Sequence, residues 1–121
     1  MKNSFLVILA IVGIQQVNAQ FTRRDSLQGG LRFERTSYDV KRYDLNITIN
    51  PEQKSIKGFN EITFDVVSQT QKIQLDLFDN MKVDSIVWNT KKLKYIRDND
   101  AVFIDFPEKL ASKSNHKLKF Y

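Results

Sequence analysis

Between Tyr38 and Val67 the chain alternates apolar and polar residues in two runs. In the first, Tyr43, Leu45, Ile47 and Ile49 alternate with Asp44, Asn46 and Thr48; in the second, Ile62, Phe64 and Val66 alternate with Glu61, Thr63 and Asp65. A period of two is that of a strand with one buried face and one wet face. Pro51, between the runs, has a fixed φ and no N–H, which suits a turn and not a strand centre. The pattern predicts an antiparallel hairpin whose core residues are Leu45, Ile47, Ile49, Ile62, Phe64 and Val66. The alternation slips between Val40 and Tyr43, across Lys41-Arg42, as it does at a β-bulge. Gly58 interrupts the second run and marks a bend or a close approach of backbone.

The same pattern continues downstream. Lys72 to Phe78 reads as a third strand, with Ile73, Leu75 and Leu77 joining the core, and Asp79-Asn80 as a turn. Met81 to Trp88 reads as a fourth strand, in which the phase moves from Met81 and Val83 to Ile86 and Trp88. Asn89-Thr90 turns the chain into a short fifth strand, Lys92 to Ile96. Asp98-Asn99-Asp100 is a tight hairpin turn, because Asn and Asp tolerate left-handed φ. Ala101 to Phe106 is a sixth strand with Val102, Ile104 and Phe106 inward. Pro107 to Asn115 reads as a loop with one helical turn at Glu108 to Ala111. His116 to Tyr121 is a seventh strand, with Leu118 and Phe120 alternating against Lys117 and Lys119. Residues 20–37 are polar around Gly29-Gly30 and show neither period. They read as a flexible leader with Leu31 and Phe33 as a weak docking pair. The expected fold class is all-β, an antiparallel saddle or sandwich-like domain over residues 38–121. It stops in mid-pattern, so it is expected to be incomplete at its C-terminal end, with an exposed, pairing-prone strand edge there.

Residues 1–19 change the picture of where the chain works. Lys2 precedes the unbroken apolar run Phe5 to Ile14, and Val17-Asn18-Ala19 resembles a small-residue cleavage site. The run is about half of the roughly 20 residues a membrane span needs, so a signal peptide is expected rather than a stable membrane anchor. Cleavage falls between Ala19 and Gln20, which makes the protein secreted or periplasmic. Of 121 residues none is cysteine, so no disulfide supports the exported chain. The nine Phe and four Tyr make disorder improbable as a class. Losing Lys2 takes the formal charge from +5 to +4, with acidic and basic residues interleaved. That is no continuous basic stripe, and no nucleic-acid partner is expected.

Candidate chemistry is sparse. The chain has one histidine, His116, and no cysteine, whereas a catalytic zinc site takes about three protein ligands. No zinc site and no cofactor are expected within this chain. Asp76, Asp79, Asp98 and Asp100 lack a calcium-loop pattern and read as turn and strand-end residues. His116 reads as an exposed strand-start residue, and there is no G-x-S-x-G elbow for a nucleophile. Asn46-Ile47-Thr48 matches the N-glycosylation triplet, which has meaning only in a eukaryotic secretory pathway. Trp88, Phe59, Tyr95 and Phe103 read as cover for the second face of the sheet, with a sugar-stacking platform as the alternative.

The ordered pieces Tyr38-Asp39-Val40 with Tyr43-Asp44-Leu45, Ile56-Lys57-Gly58, Ile73-Gln74-Leu75-Asp76-Leu77 and Val83-Asp84-Ser85-Ile86 carry a family likeness. In that order and spacing the chain, from about Phe33 to Tyr121, resembles the N-terminal β-domain of M1 zinc metallopeptidases, the aminopeptidase N-like enzymes. The resemblance implies a non-catalytic domain packed against a thermolysin-like catalytic domain of the same polypeptide. It also implies zinc in the full-length protein and removal of N-terminal residues from peptide substrates. The family's zinc-binding H-E-x-x-H and its G-x-M-E-N motif are not in these residues, so no catalytic, substrate-binding or metal residue carries over. The readings that compete with it are a secreted β-sandwich module binding carbohydrate or protein, and a structural surface domain.

Overall fold

The structure, a computed structural model, describes residues 20–121; the apolar run and Ala19 lie outside them. Two short helices, α1 (Arg23–Gly29) and α2 (Phe33–Thr36), precede eight strands. These are β1 (Tyr38–Asn50), β2 (Ser55–Val66), β3 (Thr70–Asp76), β4 (Ile86–Trp88), β5 (Lys91–Lys92), β6 (Lys94–Asp98), β7 (Ala101–Leu110) and β8 (Asn115–Phe120). A five-stranded sheet has the order β1-β2-β8-β4-β5, and a three-stranded sheet the order β3-β7-β6. Every pairing is antiparallel, which is the expected all-β class.

The hairpin forms as the alternation predicts, from Tyr38 opposite Val66 to Asn50 opposite Ser55. Its register shifts between Val40 and Arg42, leaving Lys41 as the extra residue of a bulge. That one residue sets the parity. Tyr38 and Val40 before it, and Tyr43 and Leu45 after it, all face the same side. Gly58 lies opposite Ile47 with φ +150, and a Cβ there would stand 2.0 Å from the Asn46 carbonyl oxygen. The expected close backbone approach is therefore between the two arms of the hairpin.

The core lies between the two sheets. Phe64, 0% exposed, sits at its centre with Ile62, Val66 and Leu118 from one sheet and Ile73, Ile104 and Phe106 from the other. Tyr38 meets Phe64 edge-on at a ring separation of 5.7 Å, and Trp88 meets Phe106 likewise at 5.4 Å. Burying each such aliphatic or aromatic side chain contributes about 1.5–3 kcal/mol.

Several expectations are corrected by backbone bonding. The fourth strand is only Ile86–Trp88. Its first half is a loop whose groups bond elsewhere: Asp84 N–H donates to the Tyr121 carbonyl, and the Val83 carbonyl accepts from the Tyr95 hydroxyl. The phase shift in the sequence marks that break. The fifth strand is two strands in different sheets. β5 pairs with β4, the chain crosses over at the buried Leu93, and β6 pairs with β7. β7 runs to Leu110, so Glu108 to Ala111 forms no helical turn. Pro107 falls where the β3–β7 register shifts, a place in a strand that tolerates a missing N–H. β8 pairs with β2 on one side and β4 on the other. The exposed edge expected at Lys117 to Tyr121 does not exist, because β8 is an interior strand; the end strands of that sheet are β1 and β5.

The leader is also corrected. Thr22 and Asp25 form a capping box at the start of α1, satisfying amides that would otherwise lack partners. Leu27, not Leu31 or Phe33, is the docking residue: it is buried, and the other two are exposed. The Gln74 side-chain amide donates to the Leu27 carbonyl, and Arg35 bridges that carbonyl to Asp76. Arg24 and Gln28 donate to the buried carboxylate of Asp100, which also accepts from the Asp79 N–H. These bonds hold the helices to β3 and to the β6–β7 turn.

Candidate functional site

The most unusual feature of the surface follows from unequal strand lengths. β1 has 13 residues and β3 has 7, so at about 3.3 Å per residue they span about 43 Å and 23 Å. The three-stranded sheet therefore covers only the part of the hairpin that holds Tyr38, Val40, Ile62, Phe64 and Val66. The parity past the bulge stays the same, and Tyr43, Leu45, Ile47, Ile49 and Ile56 continue the core-facing side. Nothing among the described residues lies over them. Leu45 is 67% and Ile49 64% exposed, and Tyr43, Ile47 and Ile56 are also exposed. Leu45, Ile47 and Ile49 were expected in the core; they lie on the right face, beyond the end of the layer that would bury them. Ile62, Phe64, Val66 and Ile73 are buried as expected, and Leu75 and Leu77 are partly buried against the core.

That bare face is the floor of a groove of about 1040 Å³. Its opposite wall carries Leu75, Leu77, Phe78 and Met81, with Tyr121 at the margin. Arg97 fixes the Leu77–Met81 wall, its guanidinium donating to the carbonyls of Leu77 (2.7 Å), Phe78 and Met81. Tyr38 closes the inner end. Its hydroxyl donates to the Gln74 carbonyl at 2.6 Å, and burial pushes its phenol up to about 12. The floor of the groove is a run of exposed apolar side chains, and charged residues, Arg35, Lys54, Lys57, Asp76, Lys82 and Asp84, also line it.

The residues considered for chemistry do not gather there. His116 is half-buried and not exposed as expected. It lies opposite Phe64 in the sheet, its ring is 5.7 Å from those of Phe64 and Trp88, and Nε2 bonds Ser114 Oγ at 2.8 Å. Burial lowers its pKa below 6.5, with Glu108 opposing weakly. The unfolded chain thus binds the proton more readily. His116 contributes stability that is full above pH 6.5 and is lost as pH falls through the folded value. Denaturant midpoints measured between pH 7.5 and 5 are expected to fall less for His116→Gln than for the parent chain. An identical slope would contradict this assignment.

Trp88 is 4% exposed inside the core, and Phe59 lies beside Tyr121, 5.3 Å between rings. The four aromatics form no single flat platform, which removes the specific support for sugar stacking. Asn46 is exposed on the outer side of β1. Asp76, Asp98 and Asp100 are occupied by Arg35, Arg23 and Arg24. Among the described residues no group of three His, Cys, Asp or Glu comes together to hold a metal, and no helix is long and apolar enough to cross a membrane. With one histidine, packed between aromatic rings, and no cysteine, the donors of this chain do not fit a zinc site.

Comparison with known proteins places this geometry. No protein-family model and no curated protein matches the chain. Among solved structures, it is similar to an M1 zinc metallopeptidase from Deinococcus radiodurans, with a TM-score of 0.62 at 21% identity over 71% of this chain and 20% of that one. It is also similar to a mutant two-domain M1 zinc metallopeptidase bound to L-arginine, with a TM-score of 0.60 at 22% identity over 69% of this chain and 19% of the other. The same enzyme type bound to L-tryptophan gives a TM-score of 0.62 at 21% identity. The fold is that of part of these metallopeptidases, and the chain spans about a fifth of their length.

Proposed function

We propose that residues 38–121 belong to the N-terminal, non-catalytic β-domain of an M1-type zinc metallopeptidase. The observation that carries this is the fold match over 69–71% of the chain, in agreement with the ordered Tyr-Asp, Ile-Lys-Gly and Leu-Asp-Leu segments of the sequence. On this reading the domain is structural support. Zinc, the general base and the pocket for the substrate amine lie on a catalytic domain of the same polypeptide, and the whole enzyme removes N-terminal residues from peptides. The complete reading frame tests it: H-E-x-x-H with a later Glu, and G-x-M-E-N, are expected downstream of Tyr121. A frame without H-E-x-x-H would defeat the proposal.

Export is part of the same reading. The run Phe5 to Ile14 ending in Val17-Asn18-Ala19 supports a signal peptide and a secreted or periplasmic enzyme. Intact-mass analysis of protein recovered from its native host is expected to show a chain beginning at Gln20. Retention of residues 1–19 would contradict export by this route.

A further inference from the structure

We propose that Gln20 is a modification site: once signal-peptide cleavage frees it, it closes on itself to a five-membered lactam, pyroglutamate, and leaves the protein without an α-amine. This rests on the export reading, which puts the cut between Ala19 and Gln20. Glutamine carries a carboxamide so placed that bonding of its Cδ to its own α-nitrogen closes an unstrained ring, and holding the two groups in one residue favours the attack. The step balances without a co-reactant. The α-nitrogen lone pair attacks Cδ and forms the ring C–N bond. The Cδ–Nε2 bond breaks, a proton passes from the attacking nitrogen to Nε2, and ammonia leaves. An α-amine titrates at about 7.7–8.0, so near neutral pH part of it is the neutral nucleophile.

The structure leaves Gln20 free to react. It is exposed, as is Phe21 beside it, and the held part of the leader begins at Thr22. The Thr22 N–H donates to Asp25 Oδ2 at 2.9 Å and its hydroxyl to the same oxygen. Asp25 is the acidic residue nearest the new terminus in sequence, and its carboxylate is thus already engaged. The first carbonyl that α1 uses is that of Thr22, which accepts from the Ser26 N–H. Closing a ring at Gln20 takes nothing from the helix.

What stands behind the terminus gives the closure its consequence. Thr22 caps α1, Arg23 pairs with Asp98, and Arg24 pairs with Asp100, a carboxylate 2% exposed. An enzyme removing residues from a free amine would strip the cap within a few steps, and then the partner of that buried carboxylate. Removing one member of a buried pair leaves the other charge uncompensated, which is the costly case. A lactam offers no amine to grip, so the leader stays whole.

Protein recovered from its native host tests this. Free amines are acetylated with a deuterated reagent as the cells are opened, which stops closure during handling, and the N-terminal peptide is read by mass spectrometry. The expected peptide begins at Gln20, lacks the mass of one ammonia and carries no label on its α-nitrogen. The Gln20→Ala variant is expected to be cut at the same place and to carry the label. A peptide that begins at Gln20 with its full mass and a labelled α-nitrogen would overturn the inference and leave export standing. A chain that keeps residues 1–19, or begins elsewhere, defeats the export reading and the inference with it. Shielding is read on the same two proteins with an added aminopeptidase of broad specificity. The Gln20→Ala chain is expected to lose residues from its N-terminus and the parent chain none. Equal loss from both, or none from either, would overturn the shielding.

Discussion

Replacing Phe64 by Ala is expected to cost about 3–5 kcal/mol, the range for deleting a fully buried phenylalanine. The ring has no exposed surface and touches Tyr38, Phe106 and His116, so its removal leaves a void bounded by both sheets. Its neighbours are on β1, β7 and β8, strands held by their own ladders, and they cannot collapse into the void without giving up hydrogen bonds. A domain of this size has about 5–15 kcal/mol to lose. Urea denaturation of residues 20–121 should show the transition moved sharply to lower urea, or no cooperative transition at all. A loss below about 1 kcal/mol would mean that Phe64 is not at the centre of the core.

The second large effect is expected at Gly58. Alanine there needs a φ of +150, which L side chains rarely adopt, and its Cβ would overlap the Asn46 carbonyl oxygen and crowd Ile47 Cα at 2.8 Å. Both obstacles are backbone, so neither can swing away as a side chain would. Backbone strain and overpacking each cost about 1–3 kcal/mol, and here they act together. Gly58→Ala is expected to destabilise the chain by several kcal/mol on those two counts, or to splay the outer hairpin and abolish the Ile47–Gly58 pairing. Amide exchange should then rise first between Tyr43 and Asn60. Unchanged protection in that stretch would contradict the close approach.

What was legible in the sequence was local. Alternation reports which residues share a face, and the hairpin, its bulge near Lys41 and the Asn89-Thr90 and Asn99 turns all follow from it; those three turn residues have positive φ. What alternation cannot report is how far a covering layer reaches. Leu45, Ile47 and Ile49 carry the same signal as Ile62 and Phe64, and their exposure depends on where β3 ends, a tertiary fact. The crossing between sheets at Leu93 was hidden because an apolar residue between lysines reads equally well as mid-strand. The helix at Arg23–Gly29 was legible and missed: Thr22-x-x-Asp25 is a capping signal, but a seven-residue helix shows too few turns for a period. The place of β8 between β2 and β4 was not legible, since a strand at the end of a chain looks the same at an edge or in the middle.

The likeness to M1 metallopeptidases was legible as an order of short segments, and the structure bears it out as a fold. The groove was not legible, because it follows from the unequal lengths of β1 and β3 and not from any local pattern.

The most direct measurement of that account compares two purified proteins, the 121-residue chain and the product of the complete reading frame, for bound zinc and for release of amino acids from peptide N-termini. The account predicts one zinc per chain and chelator-sensitive turnover in the complete protein, with neither in the 121-residue chain. Zinc held stoichiometrically by the 121-residue chain, or a complete protein with no zinc and no aminopeptidase turnover, would contradict it.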